Sequence, residues 1–210
     1  MLVHWMGWCN MIYPELLQEL INYYKKLPGI GDKSAERMAL ATLEISKSDI
    51  DNFAKALVNS KLNLKNCKIC GHITDNEICH ICENKNRNHN LICVIEDYKS
   101  VFSFEKVGNY KGVYHVLNGL ISPMDGIGPE DINISSLIKR VESLENPELI
   151  LALKSSIEGE TTTLYIKKIF EEKKVTISRL SYGIPIGAEI DYLDVITLDK
   201  ALEDRKKISE

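Results

Sequence analysis

Four cysteines spaced C-x2-C-x8-C-x2-C, namely Cys67, Cys70, Cys79 and Cys82, constrain this chain more than any other feature. Each CxxC pair can present two thiolates to one ion from a single tight turn. Two pairs complete the tetrahedral sulfur shell that Zn²⁺ favours. Gly71 directly follows Cys70, where such a turn often needs a positive φ. With every position taken by thiolate, no place is left for water, so the expectation is one structural zinc per chain and not a catalytic one. A redox dithiol, or thiols that bind nothing, is the alternative. His72 and His80 lie beside the cysteines, but four sulfurs suffice; the imidazoles are expected around the ligands or in solvent.

The knuckle stands between two unlike halves of a 210-residue chain, long enough for one large domain or two small ones. A hydrophobic content of 44% supports a packed core. No run approaches the ~20 apolar residues of a membrane span, and the N-terminus lacks a secretory pattern. A cytoplasmic location follows as an expectation, and there CxxC pairs bind metal more often than they form disulfides. Cys9 and Cys93 are isolated, and Cys93 sits in the apolar run Leu91–Ile95 as a small core residue. The formal net charge of −4 argues against a nucleic-acid partner, but its distribution does not. Between Leu20 and Cys70 there are nine basic residues against five acidic ones; from Leu91 onward there are 15 against 20. The basic surplus lies where a phosphate-binding surface would be sought.

Residues 1–10 carry both tryptophans, no charge and no clear period, and read as an extension outside the fold. Pro14 suits a helix start, and Leu16, Leu17, Leu20, Ile21 and Tyr24 repeat at helical spacing up to Leu27-Pro28-Gly29. A second helix follows Gly31 with Ala35, Met38, Ala39 and Thr42 on one face. A third is expected from a capping box at Ser48–Asp51, burying Ile50, Phe53, Ala54, Leu57 and Val58. The stretch 11–65 therefore reads as a small helical bundle. After the knuckle, apolar runs at Leu91–Ile95, Val113–Leu117, Leu149–Leu153, Val175–Leu180 and Leu193–Thr197 alternate with helical segments. Those segments lie near Tyr98–Lys106, Ser135–Leu144, Glu160–Glu171 and Leu198–Lys207. The alternation predicts a mostly parallel sheet flanked by helices, giving a mixed α+β and α/β chain overall.

The stretch Leu27-Pro28-Gly29-Ile30-Gly31-Asp32-Lys33-Ser34-Ala35-Glu36-Arg37 lies between two helices. Its two glycines make a tight hairpin, and the next helix start offers unpaired N–H groups that suit a phosphate. Lys33 and Arg37, four apart, share one helical face. This resembles a helix-hairpin-helix motif, which grips the DNA backbone without reading bases; an ordinary turn with solvated charges is the alternative. Lys65, Lys68, Lys85 and Arg87 flank the knuckle, as further phosphate contacts or as a solvated rim. Glu96 closes the first strand, where α/β sheets place their sites, and the Gly/Pro-containing loop 118–131 is long enough to be functional. Glu158 and Glu160 follow Ser155-Ser156 and suit a helix start.

In this order, and through the stretches LPGIGDKSAER, CVIEDYKSVFSFEKVGNYKGVYHVLNGLISPMDGIGPEDI, IEGETTTLY and SYGIPIGAEIDYLDVITLDKALEDRK, the chain resembles the RecR family of bacterial recombination mediators. The resemblance implies an N-terminal helix-hairpin-helix domain at 11–65, a zinc finger of four cysteines at 66–88, a Toprim domain at 89–182 and an assembly segment at 183–210. It implies a non-enzymatic DNA clamp: dimers closing into a ring tetramer that binds single- and double-stranded DNA near the nucleoid. Such a clamp works with RecO and RecF to load recombinase on single strands. Lys33 and Arg37 would touch DNA; Glu96, Asp125 and Asp131 would form the Toprim acidic, partner-facing site. Catalytic Toprim enzymes pair the first-strand Glu with Asp-x-Asp after the third strand to hold Mg²⁺. Here that place reads Lys154-Ser155-Ser156, where RecR relatives usually carry Asn-Pro, and Gly187-Ala188 stands where they usually carry Gly-Gly. A Mg²⁺-dependent nuclease or topoisomerase-like enzyme is the alternative, and a pure protein scaffold a third.

Overall fold

The computed structural model describes residues 12–181 and 183–205. The expected extension 1–10 and the end of the last helix at Lys207 lie outside the described residues. The chain divides into two compact units, Met1–Asn63 and Leu64–Glu210.

In the first unit, Pro14 precedes α1 (Glu15–Lys25), and α2 (Asp32–Leu43) begins directly after Gly31. Ile21 of α1 meets Ala35 and Ala39 of α2, with Leu17, Leu20, Tyr24 and Ile30 packed around them. Two alanines one turn apart let the helices approach closely, and the Tyr24 hydroxyl clips them together through Thr42 Oγ1 at 2.6 Å. Leu16, expected on this face, is open to solvent. The third helix, α3 (Lys47–Asn63), exists but starts earlier than the sequence pattern placed it. Ser46, not Ser48, is its cap, accepting from Asp49 N at 3.2 Å and donating to Asp49 Oδ2 at 2.8 Å. More consequentially, α3 contains no buried residue. Phe53, Leu57, Val58 and Leu62 are all exposed, so the expected third face of a bundle core is absent. The apolar stripe is real, but two short helices with an alanine seam offer it nothing to bury against.

The second unit opens with the antiparallel pair β1 (Lys65–Asn66) and β2 (Ile73–Thr74), followed by the short α4 (His80–Glu83). Then come β3 (Asn88–Ile95), α5 (Tyr98–Val107), β4 (Gly112–Val116), α6 (Ile134–Glu142), β5 (Glu148–Ala152), α7 (Ile157–Ile169) and β6 (Thr176–Arg179). The four longer strands form one parallel sheet in the order β4-β3-β5-β6. Continuous apolar runs are what a sheet covered on both faces requires, and β4 is buried at every position. Ile134, Leu137 and Val141 present α6 to that core, and Thr162 and Ile166 present α7.

β4 is an edge strand, yet its outward groups are taken up. Val116 N donates to Cys70 O at 2.7 Å, Asn133 Nδ2 donates to Val116 O at 3.1 Å, and Arg140 Nη1 donates to Tyr114 O at 2.7 Å. The cysteine knuckle thus closes one edge of the sheet. One expected strand is corrected. Leu193–Thr197 is not extended; a 3-10 turn at Ile190–Tyr192 leads into α8 (Val195–Glu203). Asp194 caps that helix by accepting from Thr197 N at 2.9 Å, and the cap overrides the β-branched run Val195-Ile196-Thr197.

Candidate nucleic-acid interface and metal centre

The hairpin between α1 and α2 is built by its glycines. Gly29 sits at φ 80°, a conformation that favours glycine, and Ile30 N bonds back to Leu27 O at 3.2 Å. The first helical bond of α2 runs from Ala35 N to Gly31 O, and Gly31 brings no capping side chain. The amides ahead of Ala35 therefore face outward at the positive end of the helix. Ala35 and Ala39 turn inward, so Lys33 and Arg37, also four apart, are turned outward and exposed. With Glu36, Leu40, Ala41 and Glu44 they line a shallow surface groove. Asp32, at the helix start and outside the groove, is tied to Lys25.

In the second unit the four cysteines converge. Their Sγ atoms lie within 4.8 Å of one another, and all four residues are buried. Thiolates about 2.3 Å from one tetrahedral ion stand about 3.8 Å apart, and Cys70 Sγ and Cys79 Sγ are separated by 3.6 Å. The turns are prepared for the ion. Gly71 takes φ 74° and donates to Cys67 O at 2.9 Å, and Cys79 N points at Cys67 Sγ at 3.3 Å. Hydrogen bonds from Cys70 first, then from Cys82, hold the Cys79 thiol well below its usual range, while the same bond and burial push Cys70 up. The donor set fits zinc, and the site is structural. His72 is buried against Phe102, ring centroids 5.1 Å apart, and His80 is exposed. Cys93 is buried in β3, and burial pushes its thiol up to about 12, as a core residue should be.

Two of the four basic residues around the knuckle, Lys68 and Arg87, have acidic partners. Lys68 pairs with Glu77. Arg87 forms a two-pronged bond to Glu105 and also donates to Gly112 O at 3.0 Å, so it belongs to the interior and not to a phosphate surface. Burial pushes the Glu105 carboxyl up, but hydrogen bonds from Arg87 and Tyr114 more than reverse this and hold it below the usual carboxylate range.

Glu96 stands at the C-terminal end of β3, beside a small pocket lined by Asp97, Tyr98, Asn118 and Gly119. Asn118 takes φ 58°, which lets the chain turn sharply out of β4 over this pocket. Glu96 Oε1 lies 3.4 Å from Lys154 Nζ, at the end of the neighbouring β5. Lys154 is a departure visible in the sequence, but its pairing with Glu96 depends on the parallel register of β3 and β5, which residue spacing does not show. Asp125 and Asp131 do not line the pocket. Each serves its own loop: Asp125 accepts from Ser122 Oγ at 2.6 Å, and Asp131 accepts from Gly128 N at 2.8 Å. The Ser155–Thr162 stretch is a helix start, with Ser156 Oγ accepting from Gly159 N at 3.2 Å.

Comparison with known proteins agrees with this order of parts. Residues 17–61 match the family model of the RecR helix-hairpin-helix, 64–84 the RecR four-cysteine zinc finger domain, 90–181 the Toprim domain and 183–206 the RecR C-terminal segment. Recombination protein RecR of Staphylococcus aureus strain MRSA252 is 50% identical over 198 residues, which is 94% of this chain and 100% of that protein. The proteins of the same name from strains JH9 and Newman match to the same extent. A hairpin between two helices, a zinc knuckle of four cysteines and a parallel Toprim sheet, matched along nearly the whole length, make this chain a member of the RecR family of recombination proteins.

Proposed function

We propose that the chain acts as a DNA-binding recombination mediator whose helix-hairpin-helix face grips the sugar-phosphate backbone of single- and double-stranded DNA. The observation that carries this reading is the outward face of α2, where Lys33 and Arg37 stand beside the open amides after Gly31. On this reading residues 11–65 are the DNA-binding domain, 66–88 the zinc finger, 89–182 the Toprim domain and 183–210 the assembly segment. One hairpin touches few phosphates, so useful affinity requires several copies on one strand. Two apolar surfaces support such an assembly. One is the exposed stripe of α3; the other is the C-terminal segment, where Ile186, Tyr192, Val195 and Ile196 are all exposed. A single isologous contact stops at a dimer, whereas two different contacts allow a closed ring such as a tetramer. The ring would act with RecO and RecF in loading recombinase on single strands, in the cytoplasm at the nucleoid. Glu96, Asp125 and Asp131 would lie on its partner-facing side. Among the described residues, no helix is long and apolar enough to cross a membrane.

The test is the salt dependence of DNA binding. Each neutralised phosphate steepens the slope of log K against log salt by roughly 0.7 to 0.9. The pair Lys33→Ala with Arg37→Ala should flatten that slope and weaken binding equally on all sequences. Unchanged affinity and slope in the double variant would refute the assignment.

A further inference from the structure

We infer that Lys154 is the resident counter-cation of the Toprim acidic pocket, and that by holding that place it keeps divalent metal ions out. The Toprim fold leads one to look for Mg²⁺ where Glu96 stands. Mg²⁺ demands near-octahedral oxygen ligation and is held by one or two carboxylates with waters and phosphates, a set that an ammonium beside the first carboxylate opposes. The residues here do not fit that demand. The strand beside Glu96, β5, is followed by Lys154-Ser155-Ser156, which supplies an ammonium in place of an acid. Its Nζ lies 3.4 Å from Glu96 Oε1. The other acid of the pocket, Asp97, is turned to the start of α5, where Oδ1 accepts from Lys99 N at 2.8 Å. Its Oδ2 lies 3.6 Å from Lys99 Nζ. The two carboxylates that line the pocket are thus each matched by an ammonium group, and Glu158, the other acid that Lys154 acts on, is bound by Ser156 at the start of α7. Ser156 Oγ accepts from Gly159 N, and as a neutral hydroxyl it supplies no charge in place of the missing acid. Among the described residues, only the cysteine quartet gathers three or more ligand atoms closely enough for one ion.

The backbone holds Lys154 in this place. A Cβ on Gly159 would come within 2.0 Å of Lys154 O, so the first turn of α7 is seated directly on that carbonyl. Ser156 N donates to the same oxygen at 3.0 Å. Only the side chain beyond this anchored backbone decides whether the strand end is cationic or acidic. The inference is independent of DNA binding at the hairpin, and either can fail without the other.

The experiment titrates Mn²⁺ into the zinc-loaded full chain and follows the free ion by electron paramagnetic resonance. Lys154 is more than half exposed, so Lys154→Asp is expected to keep the fold, which an unchanged zinc content and melting curve will verify. The parent chain should leave the Mn²⁺ signal undiminished. Lys154→Asp should remove the signal up to one equivalent per chain, and adding Glu96→Gln to it should restore the signal. Mn²⁺ uptake by the parent that disappears in Glu96→Gln would overturn the inference. So would a folded Lys154→Asp chain that takes up no more than the parent.

Discussion

His115 and Glu105 are charged or chargeable groups that the fold has turned to structural use. His115 is buried in β4 and donates through Nε2 to Asn133 O at 2.9 Å. Burial pushes its pKa from 6.5 down to about 4. A lowered histidine pKa means that the unfolded chain binds the extra proton first, so the stability this residue contributes is present above pH 6.5 and is lost as pH falls toward 4. Glu105, also held down, adds a second acid-sensitive contribution below its ordinary value of 4.5, lost as pH falls through its lowered value. Urea midpoints measured across pH should therefore decline in both intervals. His115→Leu should cost about 0.5–1.5 kcal/mol at neutral pH through the lost bond to Asn133 O, which Ser136 Oγ and Leu137 N still reach. It should also flatten the decline between pH 6.5 and 4; a variant with the parental slope would show that His115 is not the group titrating. None of this was legible in sequence, where Arg87 and Glu105 look like ordinary surface charges 18 residues apart.

Among the elements, the zinc knuckle does more than fold itself. Cys70 O accepts from Val116 N, and a Cβ on Gly71 would stand 3.0 Å from Val116 O. The turn carrying two of the ligands is thus pressed onto the outer edge of the Toprim sheet. Thiolate ligation supplies folding energy, so removing the metal should loosen that edge as well as the knuckle. Hydrogen exchange before and after chelation should show lost protection at residues 67–82 and also at 112–117. Protection lost at the knuckle alone would mean that β4 is held without it. The cysteine spacing announced the metal, because ligand geometry is local. It could not announce the edge contact, which joins residues 46 positions apart. The helix near Leu198 is expected from sequence, but its first turn at Val195–Thr197 is not, for the opposite reason: a short β-branched run looks the same in a strand and in the first turn of a capped helix.

For the whole molecule, the informative surfaces are those the single chain leaves uncovered. The α3 stripe and the C-terminal segment expose large apolar side chains of the kind that mark interaction sites. Leu57→Glu, at an already exposed position, should leave melting and zinc content unchanged. It should lower the mass in solution by light scattering, since a charge placed in a buried apolar contact is costly. An unaltered mass would exclude α3 from the assembly. What sequence alone determined were features written in neighbouring residues: the zinc quartet, the hairpin with Lys33 and Arg37 on one face, and the parallel strands as apolar runs. Tertiary structure decided which charges remain available. It drew Arg87 inward, set Lys154 against Glu96 across adjacent strands, and left α3 bare. The physical reason is that spacing along a chain reports only contacts within a turn or two, whereas burial and ion pairing depend on which distant segments the fold brings together.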